Sequence, residues 1–553
     1  DVCSSDPSQY HTTFNANYTY YVTGTVNLSG TTTIEGGTVI KFDKHTGSNY
    51  PKLAITERVL CLTDAHMPAI FTAKDDNTIG ETVAGSTGTP TGYYAHEAVS
   101  ISSVYQATDL HDLRFRYANT AIMFSSVSSS PIVRHVQFVG CEYAVSAYSS
   151  TSVTVANGLF CQAPGYLYVD GSSSMDVGYC TFDVGGNAPW VYYSTPNFNI
   201  NHCLFAGPGW SPAIIPSSTG NNYVTNTTAG VFQAVGAGSH YLAASSPYRN
   251  LGWASGYAAW QIRYKTTYAP QLMTNAITSN TTWSIQAQRD TDTPDIGYHY
   301  DPLDYCVTDL VITNATLYLT NGVAIGVYGL NGFTLTSGAR LVHDGGPGER
   351  MGKLVRYHSV QETPMRWGSV DSTMRLLNVA GGQSVLPEVR LRFVGVGVMA
   401  DSSVHRNYLV ENVSNNKLAY FSMRDCQLYG TFAWMGPVGD TRGSLIDFNN
   451  NLLVRGSLQF IQGYGGNTPL TVSLRNNRFH GTLLTIWNGV PGLSVWPGIY
   501  DNLFHSVASN YGTNSFPNGF NAYHASQSLP GSVGGDVALG GGGFFNPGPL
   551  RPF

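Results

Sequence analysis

The stretch "FNINHCLF", residues 198–205, has near copies elsewhere in the same chain: "DVGYCTF" at 176–182, "SLRNNRF" at 473–479 and "GIYDNLF" at 498–504. Aligned on the last aromatic, each copy carries an apolar residue five positions earlier and Cys or Asn two positions earlier. Val177, Cys180 and Phe182 return 23 residues later as Ile200, Cys203 and Phe205, and Leu474, Asn477 and Phe479 return 25 residues later as Ile499, Asn502 and Phe504. All three marks move together. The aromatic rail reaches back through Phe160, Phe138 and Phe115 at intervals of 22 or 23 residues, and the second rail through Val155, Val133 and Leu110. In the second half Met423, Cys426 and Leu428 lead to Phe448, Asn451 and Leu453. A fixed period of this length is the signature of stacked repeats.

Parity decides what is stacked. In a straight strand positions 0 and −2 share a face, whereas 0 and −5 do not. Both 0 and −5 are apolar here, so the chain must bend between −5 and −2. Asn tolerates the left-handed region and suits such a bend. Asn451, Asn477 and Asn502 are therefore expected to stack as an amide ladder. Coils of 22–26 residues, each holding several short strands joined by bends, describe an all-β solenoid, the right-handed parallel β-helix. Leucine-rich repeats need a Leu and Asn spacing that is absent, and propellers need longer blades and hairpin turns.

Composition agrees. The 553 residues include 61 Gly and 35 Tyr, with 42% hydrophobic and only 11% charged residues. Apolar residues fall in short runs rich in Thr, Val, Tyr and Phe, which is strand and turn chemistry rather than helix. A net charge of −6 with scattered Lys and Arg argues against nucleic acid as a partner, and no apolar run is long enough to span a membrane. The opening "DVCSSDPSQY" lacks a basic and apolar leader, so a signal peptide is expected to have been removed. With eight Cys and low charge, the expectation is a secreted or cell-surface protein. Cys180 and Cys203 occupy equivalent positions one coil apart, within disulfide reach; buried thiols filling the interior are the favoured alternative.

Larger-scale repetition suggests two β-helices. "DLRFRYANTAIMF" at 112–124 aligns with "EVRLRFVGVGVMA" at 388–400, and the Thr- and Val-rich stretches 22–42 and 312–345 correspond. The expected organisation is a first β-helix over 1–209, a Tyr- and Trp-rich cap and joint over 210–305, a second β-helix over 306–525 and a Gly-rich tail over 526–553.

The joint carries a resemblance. "HYLAASSPYRNLG" at 240–252 followed by "RDTDTPDIGYHYD" at 289–301 resembles the ending of many secreted bacterial right-handed β-helix proteins, with Ser246, Pro247, Gly252, Asp290, Asp292, Pro294, Asp295, Ile296 and Gly297 as the matching residues. Through "GKLVRYHSVQETPMRWGS" at 352–369 the likeness extends to repeat units of very large bacterial surface proteins. It implies the pectate-lyase-like fold and an extracellular setting; it does not imply an enzyme.

Enzymes on that fold cleave acidic polysaccharides, by elimination with a basic residue and Ca²⁺ or by hydrolysis with carboxylates about 5–10 Å apart. No Gly-His-Gly occurs, and the Asp residues do not recur at equivalent positions. Asp75 and Asp76 read as a solvated turn, and Arg134, His135 and His202 have no repeating acidic neighbours. No catalytic residue is assigned. Asp290, Asp292 and Asp295, with Asp301 nearby, are the candidate Ca²⁺ ligands, although capping of backbone amides is favoured; no cofactor is required. Trp190, Tyr192 and Tyr193, expected in a loop between rungs, and Tyr257, Trp260 and Tyr264 are candidates for stacking on sugars, with packing against the helix flank as the alternative. The resulting expectation is a structural or adhesive β-helical rod, assembling end to end with copies of itself and presenting aromatics to glycans. A polysaccharide lyase or hydrolase, or a carbohydrate-binding protein without turnover, is the alternative.

Overall fold

The structure is a computed structural model that describes residues 8–16, 18–162, 165–183, 190–193, 198–208, 221–363, 374–397, 407–414, 416–437, 442–462, 470–488, 498–511 and 517–539. Cys3 and the tail beyond residue 539 lie outside these residues. Almost every element is a short strand paired in parallel with the strand one coil away. The chain is a parallel β-helix. It forms two compact units: one of residues 1–270, 287–302 and 358–366, the other of 271–286, 303–357 and 367–553. The stretch 210–305 is thus shared between them.

In the first unit, a 12-stranded sheet carries both rails and an 8-stranded sheet lies beside it in the coil. Phe115, Phe138, Phe160, Phe182 and Phe205 are direct partners in successive strands, and Phe71 extends the row by one coil. Neighbouring rings lie between 4.4 and 5.6 Å apart and within 21° of parallel. Strands about 4.8 Å apart place identical rings at stacking distance, so the strand spacing itself selects the aromatic rail. Leu110, Val133, Val155, Val177 and Ile200 form the second rail and are buried. Cys180 and Cys203 are buried free thiols, as are Cys61, Cys141, Cys161, Cys306 and Cys426.

The bend falls between −5 and −2 as expected, but its left-handed residue is not the Asn or Cys at −2. The left-handed backbone falls at −3, on Asp112, His135, Asn157, Tyr179 and His202 in the first unit (φ 50 to 58°) and on Asp425, Asn450, Asn476 and Asp501 in the second (φ 55 to 60°). This corner turns position −2 inward, where an amide can do what an apolar residue cannot. Asn477 Nδ2 donates to the Phe448 carbonyl of the preceding coil, at 2.9 Å, and to Asn502 Oδ1 at 3.1 Å. Its own Oδ1 accepts from Asn451 N and Nδ2, both at 3.0 Å. The ladder runs on through Asn502 and Asn521 and ends on Asp536, whose carboxylate accepts the Asn521 N–H.

Sheets of 11, 9 and 8 strands build the second unit, and its inner rail is Leu428, Leu453, Phe479, Phe504 and Tyr523. The alignment of 112–124 with 388–400 does not pair equivalent strands. Phe115 belongs to the rail after the corner, whereas Leu391 partners Met423, on the rail before it. Any strand with one inward apolar residue between two arginines produces this match, so the sequence similarity is offset by one strand.

Candidate functional site

In the first unit, the segments carrying the Ser-Pro and Asp-Ile-Gly phrases close over the outer face of the sheet formed by Leu113–Arg116, Ile132–Val139 and Ser152–Cys161. Close backbone approach explains the glycines. A Cβ on Gly252 would lie 2.8 Å from the Tyr179 hydroxyl, and one on Gly297, where φ is +91°, would lie 2.5 Å from Thr181 Oγ1. Ile296 is buried between them in sequence, and Asn157 donates from Nδ2 to the His299 carbonyl at 2.8 Å while accepting the His299 N–H at 2.7 Å.

The candidate calcium ligands take part in this closure. Asp290 pairs with His299 Nε2 and accepts the Asp295 N–H at 2.8 Å. Asp295 receives the Asn250 N–H at 2.7 Å and Arg249 Nη1 at 2.9 Å, and it binds the Thr267 hydroxyl. Asp292 points instead to Gln288 Nε2, at 3.2 Å. Asp290 and Asp295 thus accept backbone N–H groups, the capping geometry considered beside calcium from the sequence, whereas Asp292 does not. Among the described residues no three His, Cys, Asp or Glu side chains gather as a metal-binding group.

Beneath the closing segment lies an ionic network that the sequence reading missed. Lys265 binds Asp301 and lies 3.9 Å from Asp112; Arg114 lies 3.7 Å from Asp301 and donates to the His135 carbonyl at 3.0 Å. Arg116 stands 3.7 Å from Asp76 and donates to the Glu362 carbonyl at 3.2 Å. His240 bridges Glu362 at 2.7 Å and Asp183 at 3.0 Å, and Tyr300 donates to Glu362 at 2.8 Å. Burial opposes the charge on His240, but its hydrogen bonds to Asp183 and Glu362 prevail and hold it up at about 9. Burial likewise disfavours the Asp112 carboxylate, yet the His111 hydrogen bond and the Lys265 charge hold its pKa below the ordinary range. Asp75 and Asp76 are buried acceptors, not a solvated turn: Asp75 accepts the Tyr94 hydroxyl at 2.5 Å and Asp76 that of Thr72 at 2.6 Å.

These are the groups an acid–base catalyst would use, but Arg114 is 2% exposed and Lys265 7%, and each is committed to a partner. A cue was present. In a chain with so few charges, "RFR" puts two arginines beside an inward rung residue at 114–116, where the outer face has to be covered.

The aromatic candidates divide. Trp190, Tyr192 and Tyr193 are not in a loop: Trp190–Tyr193 is a strand paired in parallel with Gly165–Val169, because the extra residues flanking it leave the coil's pairing intact. Their side chains lie outside the described residues. Tyr257 and Trp260 sit on the helix Tyr257–Ile262, and Tyr264 follows it. The helix turns Ala259 and Ile262 inward onto Tyr179. Tyr257, Trp260 and Tyr264, at i, i+3 and i+7, are left 45%, 68% and 48% exposed, and Trp253 is also exposed. Beside the helix, Arg134 forms a bidentate pair with Asp109 and reaches Gln261 Oε1 at 3.4 Å. Tyr179 stacks on His202 at 4.9 Å, so His202 and His135 are packed parts of the flank.

No protein-family model and no curated protein matches the chain. Among solved structures it is similar to a PL6 family alginate lyase, AlyGC, at 10% identity over 96% of this chain and 95% of that one, with a TM-score of 0.25. A point mutant of AlyGC matches at 10% identity over 94% and 92%, with a TM-score of 0.19. The fold assignment rests on the parallel ladders themselves.

Proposed function

We propose that the protein is an extracellular β-helical scaffold of structural or adhesive type that holds glycans without turning them over. The observation that carries the reading is the orientation of the helix Tyr257–Ile262. Folding alone favours burying the large rings; here Ala259 and Ile262 face in and a stripe of Tyr and Trp faces out. Flat rings with polar edges, flanked by Arg134, Asp109 and Gln261, match the apolar faces and hydroxyl rims of sugar rings. The burial of Arg114, Lys265, Asp112 and Asp301 supports a structural rather than catalytic role for the flank. End-to-end association through terminal strands belongs to the same proposal.

The experiment is a glycan-binding screen with the full chain and its Trp260→Ala variant. Binding that falls at least tenfold in the variant, with an unchanged melting curve, is the expected result. Equal binding by both proteins would remove the helix from the reading.

A further inference from the structure

On the outer face of the second unit, three histidines occupy the same position in successive coils. His480, His505 and His524 are direct partners across the parallel strands Arg478–His480, Leu503–His505 and Ala522–His524. Strand alternation explains their direction. Phe479, Phe504 and Tyr523 point inward and stack at 5.0 and 5.2 Å, so the residue after each points out. The outer rings stack less regularly, with centroids 4.6 and 4.7 Å apart and tilts of 60° and 71°. This tilt brings nitrogen toward nitrogen, and His480 Nδ1 lies 3.0 Å from His505 Nδ1.

We propose that His480 and His505 form a two-imidazole site for a late first-row divalent cation, Cu²⁺, Ni²⁺ or Zn²⁺. Two nitrogens bound to one metal at about 2.0–2.1 Å lie about 2.9 Å apart at a right angle and about 3.4 Å apart at the tetrahedral angle. The observed separation falls between these values. Without metal, one Nδ1–H donates to the other Nδ1. On binding, the donor ring takes its Nε2–H tautomer, both Nδ1 lone pairs face the metal, and no net proton need be released. The inner aromatic stack and the strand register fix both backbones, so little ordering is required.

The surroundings select among cations. Burial lowers the basicity of His505, as do the neighbouring His524 and the charges of Arg478, one coil back, and Arg455, two coils back. The two arginine charges also oppose a dication. Only metals with strong affinity for imidazole overcome that repulsion, which gives the order Cu²⁺ above Ni²⁺ and Zn²⁺ and excludes Ca²⁺ and Mg²⁺. His524 stands one rung further on, too far along the ladder to share a metal with His480.

The test is calorimetric titration of the untagged full chain with Cu²⁺, Ni²⁺, Zn²⁺ and Ca²⁺ at pH 7.5, repeated for His480→Gln, His505→Gln and the distant control His45→Gln. One site is expected that weakens at least tenfold in either ladder variant, stays unchanged in the control and ignores Ca²⁺. Both substitutions are on an outer face, and matching melting curves would exclude misfolding. Copper electron paramagnetic resonance provides a second readout, with hyperfine structure from two nitrogens expected in the parent and from one in each variant. Unchanged affinity in both ladder variants, or a one-nitrogen spectrum in the parent, would overturn the site.

Discussion

Replacing Asn477 by Ala tests whether the amide ladder holds the second unit together. Asn477 is buried and makes four side-chain hydrogen bonds, to Phe448 O, Asn502 Oδ1, Asn451 N and Asn451 Nδ2. Asn451 Nδ2 keeps the Met423 carbonyl, Asn502 Oδ1 keeps the Asn477 N–H and Phe448 O keeps its place in the strand ladder, so truncation leaves one orphan, the Asn451 N–H. A buried unsatisfied N–H costs about 1–3 kcal/mol, which sets the expected loss. Asn477→Asp separates hydrogen bonding from volume. A carboxylate can still accept from Asn451, but it loses both donations and faces Asn502 Oδ1. Its pKa in the fold is therefore raised, and the variant should regain stability as pH falls, because protonation restores one donor. Guanidinium unfolding followed by circular dichroism at pH 7 and pH 4 provides the readout. A midpoint for Asn477→Ala within 0.5 kcal/mol of the parent, or Asp as stable as Asn at pH 7, would refute the ladder.

In the first unit, Phe182→Ala removes a buried ring stacked at 4.4 Å on Phe160 and 4.7 Å on Phe205, and should cost about 3–5 kcal/mol by thermal or denaturant unfolding. His240, charged in the fold and held at about 9, contributes stability that is complete below its unfolded value near 6.5 and is lost as pH rises through 9. That difference corresponds to about 3 kcal/mol, and His240→Gln should flatten the stability profile between pH 6.5 and 9. The seven described thiols are buried, so they should react with a thiol reagent only on unfolding. Rapid native labelling at Cys180 or Cys203 would contradict their place inside the coil.

The rails were legible in the sequence because each acts through one physical rule. Phe115 to Phe205 recur because strand spacing stacks like on like, and Asn451 to Asn502 because in every coil the backbone N–H after the corner is received by the next coil's amide oxygen. The left-handed residue was placed one position late, since Asn is favoured both in left-handed backbone and as an inward hydrogen-bonding ladder residue, and composition alone does not separate the two. The flank was not legible. Arg114 and Arg390 lie in similar phrases, yet Arg114 is covered by the closing segment and Arg390 is exposed. What covers Arg114 comes from residues 245 and 187 positions further on, Ser359 and Asp301, and no local pattern announces them. The aromatic stripe was visible as composition, but the outward orientation that gives it meaning depends on Ala259 and Ile262 packing against Tyr179.

The central claim, that this β-helix holds glycans without cleaving them, is tested most directly by incubating the full chain with acidic and neutral polysaccharides and following unsaturated uronate absorbance and new reducing ends. The account predicts no product from any glycan that the protein binds. Product that accumulates in proportion to protein would contradict it and return the buried flank to consideration as an active site.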